Sequence, residues 1–181
     1  MRKLLLSTTL ALSLAANAAE APAKKFTLSS PAFKNGGAMS DKQVFNGFGC
    51  SGGNVSPALE WKNAPEGTKS FALMVHDPDA PTGSGWWHWV VYDIPADAKS
   101  IAEGATPPGV EGNTDFGKPG YGGPCPPPGS GKHHYNFTLF ALKVDKLDVP
   151  AGATAALVGF YANANAIGKA KLTGTFERQK Q

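Results

Sequence analysis

The stretch from residue 104 to residue 131 constrains the fold most, because nine of its 28 positions are Gly and seven are Pro. Both residue types destabilise helix interiors, so the stretch is predicted to be a long loop. A loop of this length inside a domain is usually functional or disordered. In the whole chain, 22 Gly and 15 Pro among 181 residues argue against a helix bundle. A hydrophobic content of 41% argues against a disordered chain.

Short apolar segments separated by turns indicate a mainly β domain. The continuous apolar run 71–75 and the aromatic run 87–92 have the length and composition of strands. Further strands are predicted at 26–28, 59–61, 135–142 and 170–176, a loop at 46–58 and a helix at 151–164. Short strands joined by Gly/Pro-rich turns are typical of an antiparallel β-sandwich. The sequence shows no internal repeat, which favours a single domain.

The N-terminus has the three parts of a secretory signal peptide. Arg2 and Lys3 precede an apolar stretch, and Ala16-Asn17-Ala18 has small residues at the cleavage positions. The apolar stretch is too short to span a bilayer as a helix, so no stable membrane anchor is expected. We predict a signal peptide at 1–18 and one domain at 19–181. The form of the signal favours a bacterial periplasmic location.

The formal net charge of +3 comes from 17 basic and 14 acidic side chains. Removal of 1–18 takes two basic residues away and leaves a net charge of +1. The remaining basic residues are scattered, with no stripe interleaved with aromatic residues, so nucleic-acid binding is not indicated. Any preference for anions is therefore expected from a few placed side chains and not from a basic surface.

The two cysteines, Cys50 and Cys125, allow two interpretations. In an oxidising compartment an even pair readily forms a disulfide, which stabilises by up to about 4 kcal/mol in the chain-entropy view. The alternative is two free thiols. Two cysteines alone do not make a tetrahedral zinc site, and no metal site is predicted.

Histidines and acidic residues cluster near the predicted strand ends. Asp77 and Asp79 follow the run 71–75 in a turn that prolines stiffen. Strand alternation places His88 on the face of Val90 and Tyr92, opposite Trp87, Trp89 and Val91. The same alternation places His133 and Tyr135 at the polar end of a face that continues with Phe137 and Leu139. His133 and Tyr135 are therefore predicted to lie at the mouth of the sandwich beneath the loop 104–131, where an apolar base and a few polar groups would form a pocket. On spacing alone, Asp77 and Asp79 fit an ordinary surface turn, and His88 fits a core or surface histidine.

Three functions are compatible with two histidines, a tyrosine and a carboxylate in one pocket. Metal binding has little support, because the ligand spacing is wide and no H-E-x-x-H motif occurs. Catalysis with His88 or His133 as general base lacks an identifiable nucleophile, since no G-x-S-x-G motif occurs. Anion binding requires only hydrogen-bond donors, which the imidazoles and the phenol supply. The spacing alone does not choose among the three.

Five short motifs occur in order along the chain: Gly49–Pro57 (GCSGGNVSP), Asp77–Pro81 (DPDAP), Gly83–Val90 (GSGWWHWV), Tyr121–Pro127 (YGGPCPP) and Gly131–Tyr135 (GKHHY). Together they resemble the motifs of the phosphatidylethanolamine-binding protein family, which includes the Raf kinase inhibitor proteins. The likeness is closest to the bacterial periplasmic branch. It extends from about Phe26 to about Arg178, which is nearly the whole predicted domain.

The resemblance implies a single domain of two antiparallel sheets in Greek-key order, with few short helices. It also implies an anion pocket built by Asp77, Asp79, Trp86, His88, Pro127, His133 and Tyr135. Within that set, Trp86 and Pro127 would line the pocket and Asp79 would brace its rim. The loops that carry Cys50 and Cys125 would meet near the rim, which favours the disulfide.

The implied function is regulatory binding of a small anion, such as phosphate, a phosphorylated head group or an acetate-like anion. Neither enzyme activity nor a cofactor is expected, and a protein partner is possible. The alternative is inhibition of a protease or kinase-type partner through the loop 104–131. If His88 and His133 donate to the anion, affinity should rise as the pH falls through about 6.5.

One position departs from the family pattern Gly-x-His-Arg-Tyr, because His134 stands where Arg is expected. Alternation turns position 134 away from His133 and Tyr135. The pocket is therefore expected to be retained, while the structural ion pair of that Arg is in doubt.

Overall fold

The computed structural model describes residues 24–180, so the predicted signal peptide at 1–18 lies outside the described residues. The elements in chain order are β1 (Thr27–Ser29), β2 (Gly37–Ala38), β3 (Asn46–Gly47), β4 (Cys50–Ser51), β5 (Leu59–Lys62), β6 (Ser70–Asp77), β7 (Trp86–Pro95), β8 (Ser100–Ile101), β9 (Val110–Glu111), β10 (Lys132–Leu142), α1 (Ala155–Asn165) and β11 (Ala166–Glu177). Every predicted strand and the predicted helix are present with shifted ends. Five two-residue strands are additional to the prediction. Within 24–180 no helix has the length and apolarity needed to cross a membrane.

Two sheets pack face to face around the main core. The larger sheet has the order β2-β11-β10-β6-β7-β9, and the smaller has the order β1-β5-β8. Leu28 and Trp61 of the smaller sheet share one apolar cluster with Leu73 and Phe137 of the larger. This confirms the mainly β sandwich. Two details differ from an all-antiparallel, two-sheet arrangement: β2 pairs with β11 in parallel, and β3 and β4 form a separate two-stranded sheet.

The second face of the large sheet is covered by α1. Val158 and Ala162 of the helix pack with Met74 and Phe140 of the sheet. Because both faces of β6 are covered, seven of its eight residues are buried. A strand buried on both faces needs an uninterrupted apolar sequence, which accounts for the run 71–75.

The helix begins four residues later than the sequence predicts. Thr154 is its N-cap, and the Thr154 hydroxyl accepts a hydrogen bond from the backbone N–H of Leu157 at 3.2 Å. The polar cap therefore fixes the start, and the preceding Ala151 and Gly152 form a turn.

Residues 104–131, called the wall segment below, run along the free edge of β7. The amides of Gly112, Asp115 and Gly122 donate to the carbonyls of Val90, Trp87 and His88, respectively. The segment thus uses strand-like hydrogen bonds although only β9 within it is a strand. Backbone pairing orders a sequence that is too rich in Gly and Pro for regular structure.

Two glycines of the wall segment are required by close packing. A Cβ atom on Gly122 would lie 2.2 Å from the ring of Phe116, and one on Gly123 would lie 1.9 Å from the carbonyl oxygen of Gln43. The absence of side chains lets the wall segment pack against its own Phe116 and approach the loop that contains Gln43.

Candidate ligand-binding site

A cavity of about 190 Å³ opens at the edge of the large sheet where β6 ends and β7 and β10 begin. Six of the seven predicted site residues line this cavity: Asp77, Trp86, His88, Pro127, His133 and Tyr135. The seventh, Asp79, does not line it. The volume is below the roughly 300–1,000 Å³ typical of pockets for drug-sized ligands, so the cavity suits a small group.

A β-bulge in β7 turns His88 into the cavity. Val75 pairs with Trp89 and the next residue, His76, pairs with Trp87, so His88 is an extra residue without a partner on β6. The bulge interrupts the alternation, and Trp87 packs on the helix side with Val90 and Tyr92 while Trp89 and Val91 face the main core.

The ring of His88 lies edge-on to the ring of Tyr135 in the main core, with centroids 5.0 Å apart. The predicted placement of His88 on the face of Val90 and Tyr92 is therefore wrong, as is that of Trp87 beside Trp89. One bulged residue reverses the face of every side chain that follows it.

His88 presents an acceptor to the cavity and not a donor. Its Nδ1 lies 2.7 Å from the carbonyl oxygen of Gly122, and because a carbonyl only accepts, Nδ1 carries the ring proton. Burial lowers the pKa of His88 to about 4, outweighing the raising effects of the Gly122 carbonyl and the Asp77 charge. The ring is neutral near pH 7, which leaves Nε2 with a lone pair. The expected rise in affinity near pH 6.5 therefore does not come from His88.

Tyr135 supplies the free donor of the cavity. Its side chain is 1% exposed, and its hydroxyl has no hydrogen-bond partner among the described residues. Burial raises the pKa of Tyr135 most, and the nearby carboxylate of Asp77 raises it further by its charge and by a contact that falls short of hydrogen-bond geometry, so the hydroxyl keeps its proton. A buried hydroxyl without a partner costs about 1–3 kcal/mol, a penalty that a bound acceptor would remove.

Asp77 and His133 form a buried pair beside Tyr135. Nδ1 of His133 donates to Oδ2 of Asp77 at 2.7 Å, and the two side chains are 3% and 4% exposed, respectively. The other carboxylate oxygen of Asp77 accepts from the backbone N–H of Asp79 at 2.9 Å. The carboxylate thereby fixes both the ring of His133 and the turn that follows β6.

Ser130 completes a chain of three side chains. Its Oγ lies 2.9 Å from Nε2 of His133, on the far side of the ring from Asp77. The same hydroxyl lies 2.8 Å from the carbonyl oxygen of Pro127. The sequence analysis identified no hydroxyl near His133, and the structure places that of Ser130 beside its ring.

Asp79 pairs with His134 outside the cavity. Oδ2 of Asp79 accepts from both Nδ1 and the backbone N–H of His134, each at 2.8 Å. Burial raises the pKa of Asp79, but the hydrogen bonds from His134 lower it more, so the net shift is downward. His134 thus makes a hydrogen-bonded pair with Asp79 at the position where the family pattern has Arg.

A disulfide and an aromatic cluster form the rim. Cys50 and Cys125 are joined by a disulfide, and Cys125 lines the cavity. The ring of Phe116 lies between those of Phe48 and Trp86, with centroids 5.9 Å and 5.5 Å away. Phe48 is 70% exposed. The mouth of the cavity is therefore apolar, while its floor carries the polar groups.

Comparison with known proteins decides the family. A family profile described as phosphatidylethanolamine-binding protein matches residues 29–177. The chain belongs to this family. The Escherichia coli (strain K12) family relative YbcL is 47% identical, with 98% of this chain and 99% of YbcL covered.

Solved structures agree with the family assignment. The crystal structure of E. coli YbcL, described as a new member of the mammalian family, superposes with a TM-score of 0.83 at 48% identity and covers 86% of this chain and 100% of that one. A putative family homolog from Chlamydia trachomatis superposes with a TM-score of 0.75 at 34% identity, covering 86% of this chain and 99% of that one. The family fold is therefore shown.

The contributors to this family member's site that are absent from the sequence-based set include Phe48, Phe116 and Ser130. The two phenylalanines are isolated aromatic residues within Gly-rich loops, and that isolation was a usable signal for a surface role. Ser130 stands three residues before His133 between two glycines. This spacing alone does not show that the two side chains meet, because their contact depends on the conformation of the turn between them.

Proposed function

We propose that this chain binds a small oxyanion in the cavity, the class that includes phosphate, phosphorylated head groups and carboxylates. The unpaired, buried hydroxyl of Tyr135 carries the proposal, because it is a donor placed in an apolar enclosure with no partner among residues 24–180. Family membership supports the same ligand class.

The hydrogen-bonding groups favour an oxyanion that keeps one proton. Tyr135 donates to one ligand oxygen, whereas Nε2 of His88 requires a donor from the ligand. The carboxylate of Asp77 also lines the cavity, and its charge disfavours a doubly charged ligand. A singly protonated phosphate monoester offers both the acceptor and the P–OH donor that these groups need.

Calorimetric titration with methyl phosphate, dimethyl phosphate and methyl sulfate tests two claims: that the cavity binds an oxyanion, and that it prefers an oxyanion that keeps one proton. All three compounds carry one negative charge near pH 5, but only methyl phosphate retains a P–OH group. Methyl phosphate should bind at least about tenfold more tightly, as expected for a charge-assisted hydrogen bond. Equal binding of all three would refute the proton preference and leave anion binding intact. Absence of binding by all three at millimolar concentration would refute the proposed function.

The bound anion is held and not turned over, and the cavity serves a regulatory binding role in a periplasmic protein. Export is supported by the disulfide, since such bonds persist mainly in oxidising compartments. A 42% identical Mycobacterium tuberculosis relative described as a putative lipoprotein supports it further. Cell fractionation of the tagged full-length chain tests the location, and a cytoplasmic product of unchanged mass would contradict it.

A protein partner is the second candidate. The exposed ring of Phe48 stacks on Phe116 of the wall segment, and exposed aromatic residues on ordered loops are typical contact anchors. Phe48→Ser should abolish binding to such a partner while phosphate titration stays unchanged. Partner binding that survives this substitution would argue against a role for the rim.

A further inference from the structure

Ser130 stands at the solvent end of the buried Asp77–His133 pair. Its Oγ is 2.9 Å from Nε2 of His133, whose Nδ1 is 2.7 Å from Oδ2 of Asp77. The inner two side chains are buried, whereas Ser130 is exposed. A hydroxyl, an imidazole and a carboxylate in this order form the arrangement that activates a serine nucleophile.

The proton positions agree with that arrangement. The carboxylate of Asp77 accepts, so Nδ1 of His133 carries a proton and a neutral ring leaves Nε2 free to accept. The hydroxyl proton of Ser130 has two acceptors in reach, Nε2 and the carbonyl oxygen of Pro127 at 2.8 Å. Rotation about one C–O bond moves this proton from the carbonyl to Nε2.

The backbone around Ser130 leaves room for a substrate. Gly129 and Gly131 have φ values of 74° and 89°, so Ser130 projects from a turn that other residues adopt only with strain. A Cβ added to Gly131 would meet no atom within 4 Å. The amide of Gly131 makes no backbone hydrogen bond within residues 24–180. In serine hydrolases the amide that follows the nucleophile is one donor to the oxyanion.

We propose that Ser130 is a nucleophile that accepts the acyl group of small esters. Oγ attacks the carbonyl carbon while Nε2 of His133 takes the hydroxyl proton, and Asp77 orients the ring. The tetrahedral intermediate expels the alcohol, which receives that proton. Water then attacks the acyl-serine with His133 again as base, which releases a carboxylic acid and restores Ser130. The overall reaction consumes only the ester and water.

The adjoining cavity sets the substrate class. Ser130 does not itself line the cavity, but Pro127 and His133 do and both contact Ser130, so an acyl group on Oγ would lie beside a space of about 190 Å³. The apolar rim residues Trp86 and Phe116 favour a short acyl chain. This inference goes beyond the proposed binding function, and its carboxylate product belongs to the ligand class proposed for the cavity.

Covalent labelling of the purified protein tests the nucleophile. A fluorophosphonate probe followed by peptide mass spectrometry should place the adduct on Ser130, and p-nitrophenyl acetate should show a burst of one equivalent. Ser130→Ala should remove the adduct and lower the hydrolysis rate by about a hundredfold or more. Ser84→Ala, at another exposed serine near the cavity mouth, should leave the adduct and the rate unchanged.

The pH profile distinguishes a base from a purely structural histidine. Hydrolysis by a base-activated serine should depend on pH, and His133→Gln should remove both that dependence and the rate, whereas a purely structural histidine would leave labelling of Ser130 intact in the folded variant. The titratable and charged groups on the elements around this site are His76, Asp77, Asp79, His88, Asp115, Lys132, His134, Tyr135, Arg178 and Lys180. An adduct on another residue, or a rate unaffected by Ser130→Ala in a folded variant, would overturn the inference. Methyl phosphate titration of the unsubstituted protein reports separately on the binding proposal.

Discussion

Two aspartate–histidine pairs lie side by side at the same edge of the large sheet and differ almost only in burial. Asp77–His133 spans 2.7 Å with both side chains at most 4% exposed, whereas Asp79–His134 spans 2.8 Å with 39% and 46% exposure, respectively. The two histidines occupy adjacent positions of β10, while Asp77 ends β6 and Asp79 lies in the turn that follows it. Alternation sends one pair into the cavity and the other to solvent.

The difference shows that the distance between the two side chains does not by itself set the importance of an aspartate–histidine hydrogen bond. Removing one member of a buried pair leaves an uncompensated polar group in a poorly solvated site. Removing one member of an exposed pair exposes the other to water, which solvates it well. We therefore assign the Asp77–His133 pair to the site and the Asp79–His134 pair to the surface, and the predictions below test that distinction.

The largest effect is expected for Asp77→Ala. It leaves the Nδ1–H of His133 and the amide of Asp79 without their acceptor. The free energy of unfolding should decrease by about 3–5 kcal/mol. Urea denaturation at pH 7 measures it, and a loss below about 1 kcal/mol would remove the contrast between the two pairs.

The next effect concerns His88, which is as buried as His133 but has no carboxylate partner. The unfolded chain protonates His88 near pH 6.5 and the folded chain only near 4, so the unfolded state takes up a proton first as the pH falls. Stability should therefore be greatest above pH 6.5 and decrease toward pH 4 by up to about 3 kcal/mol. Denaturation of the protein and of His88→Gln across this window measures the difference. Parallel pH curves for the two proteins would contradict the prediction.

Tyr135→Phe should separate binding from stability. The hydroxyl has no partner to lose, so the free energy of unfolding should change by less than about 1 kcal/mol. Affinity for methyl phosphate should fall about tenfold to a hundredfold, since a hydrogen bond to a charged group is lost. Scanning calorimetry measures the stability of the variant, and titration calorimetry measures its affinity. Unchanged affinity would show that Tyr135 does not contact the ligand.

The smallest effect is expected for Asp79→Ala, the matched control for Asp77→Ala. The lost pair is exposed, so stability at pH 7 should fall by at most about 1 kcal/mol. Because the pKa of Asp79 is lowered in the fold, this contribution should be present near neutral pH and vanish as the pH falls through that pKa. A loss as large as that of Asp77→Ala would mean that the rim supports the cavity.

Much of the fold was predictable because its signals are local. The run 71–75 is apolar throughout since β6 is covered on both faces, and the Gly/Pro content of the wall segment is incompatible with regular structure. The bulge at His88 was not predictable, because it depends on how β7 pairs with β6. The start of α1 at Ala155 was missed because the prediction followed the Ala-rich composition from residue 151, whereas the N-cap Thr154 sets the start.

The sequence by itself determined the mainly β class, the family motifs and six residues that line one cavity. Only the tertiary structure decided the roles of those residues. The carbonyl of Gly122 makes His88 an acceptor, and Ser130 meets His133 across a turn. The reason is physical: a residue type limits which protons a side chain can hold, but the partners that the fold brings within about 3 Å decide where those protons lie.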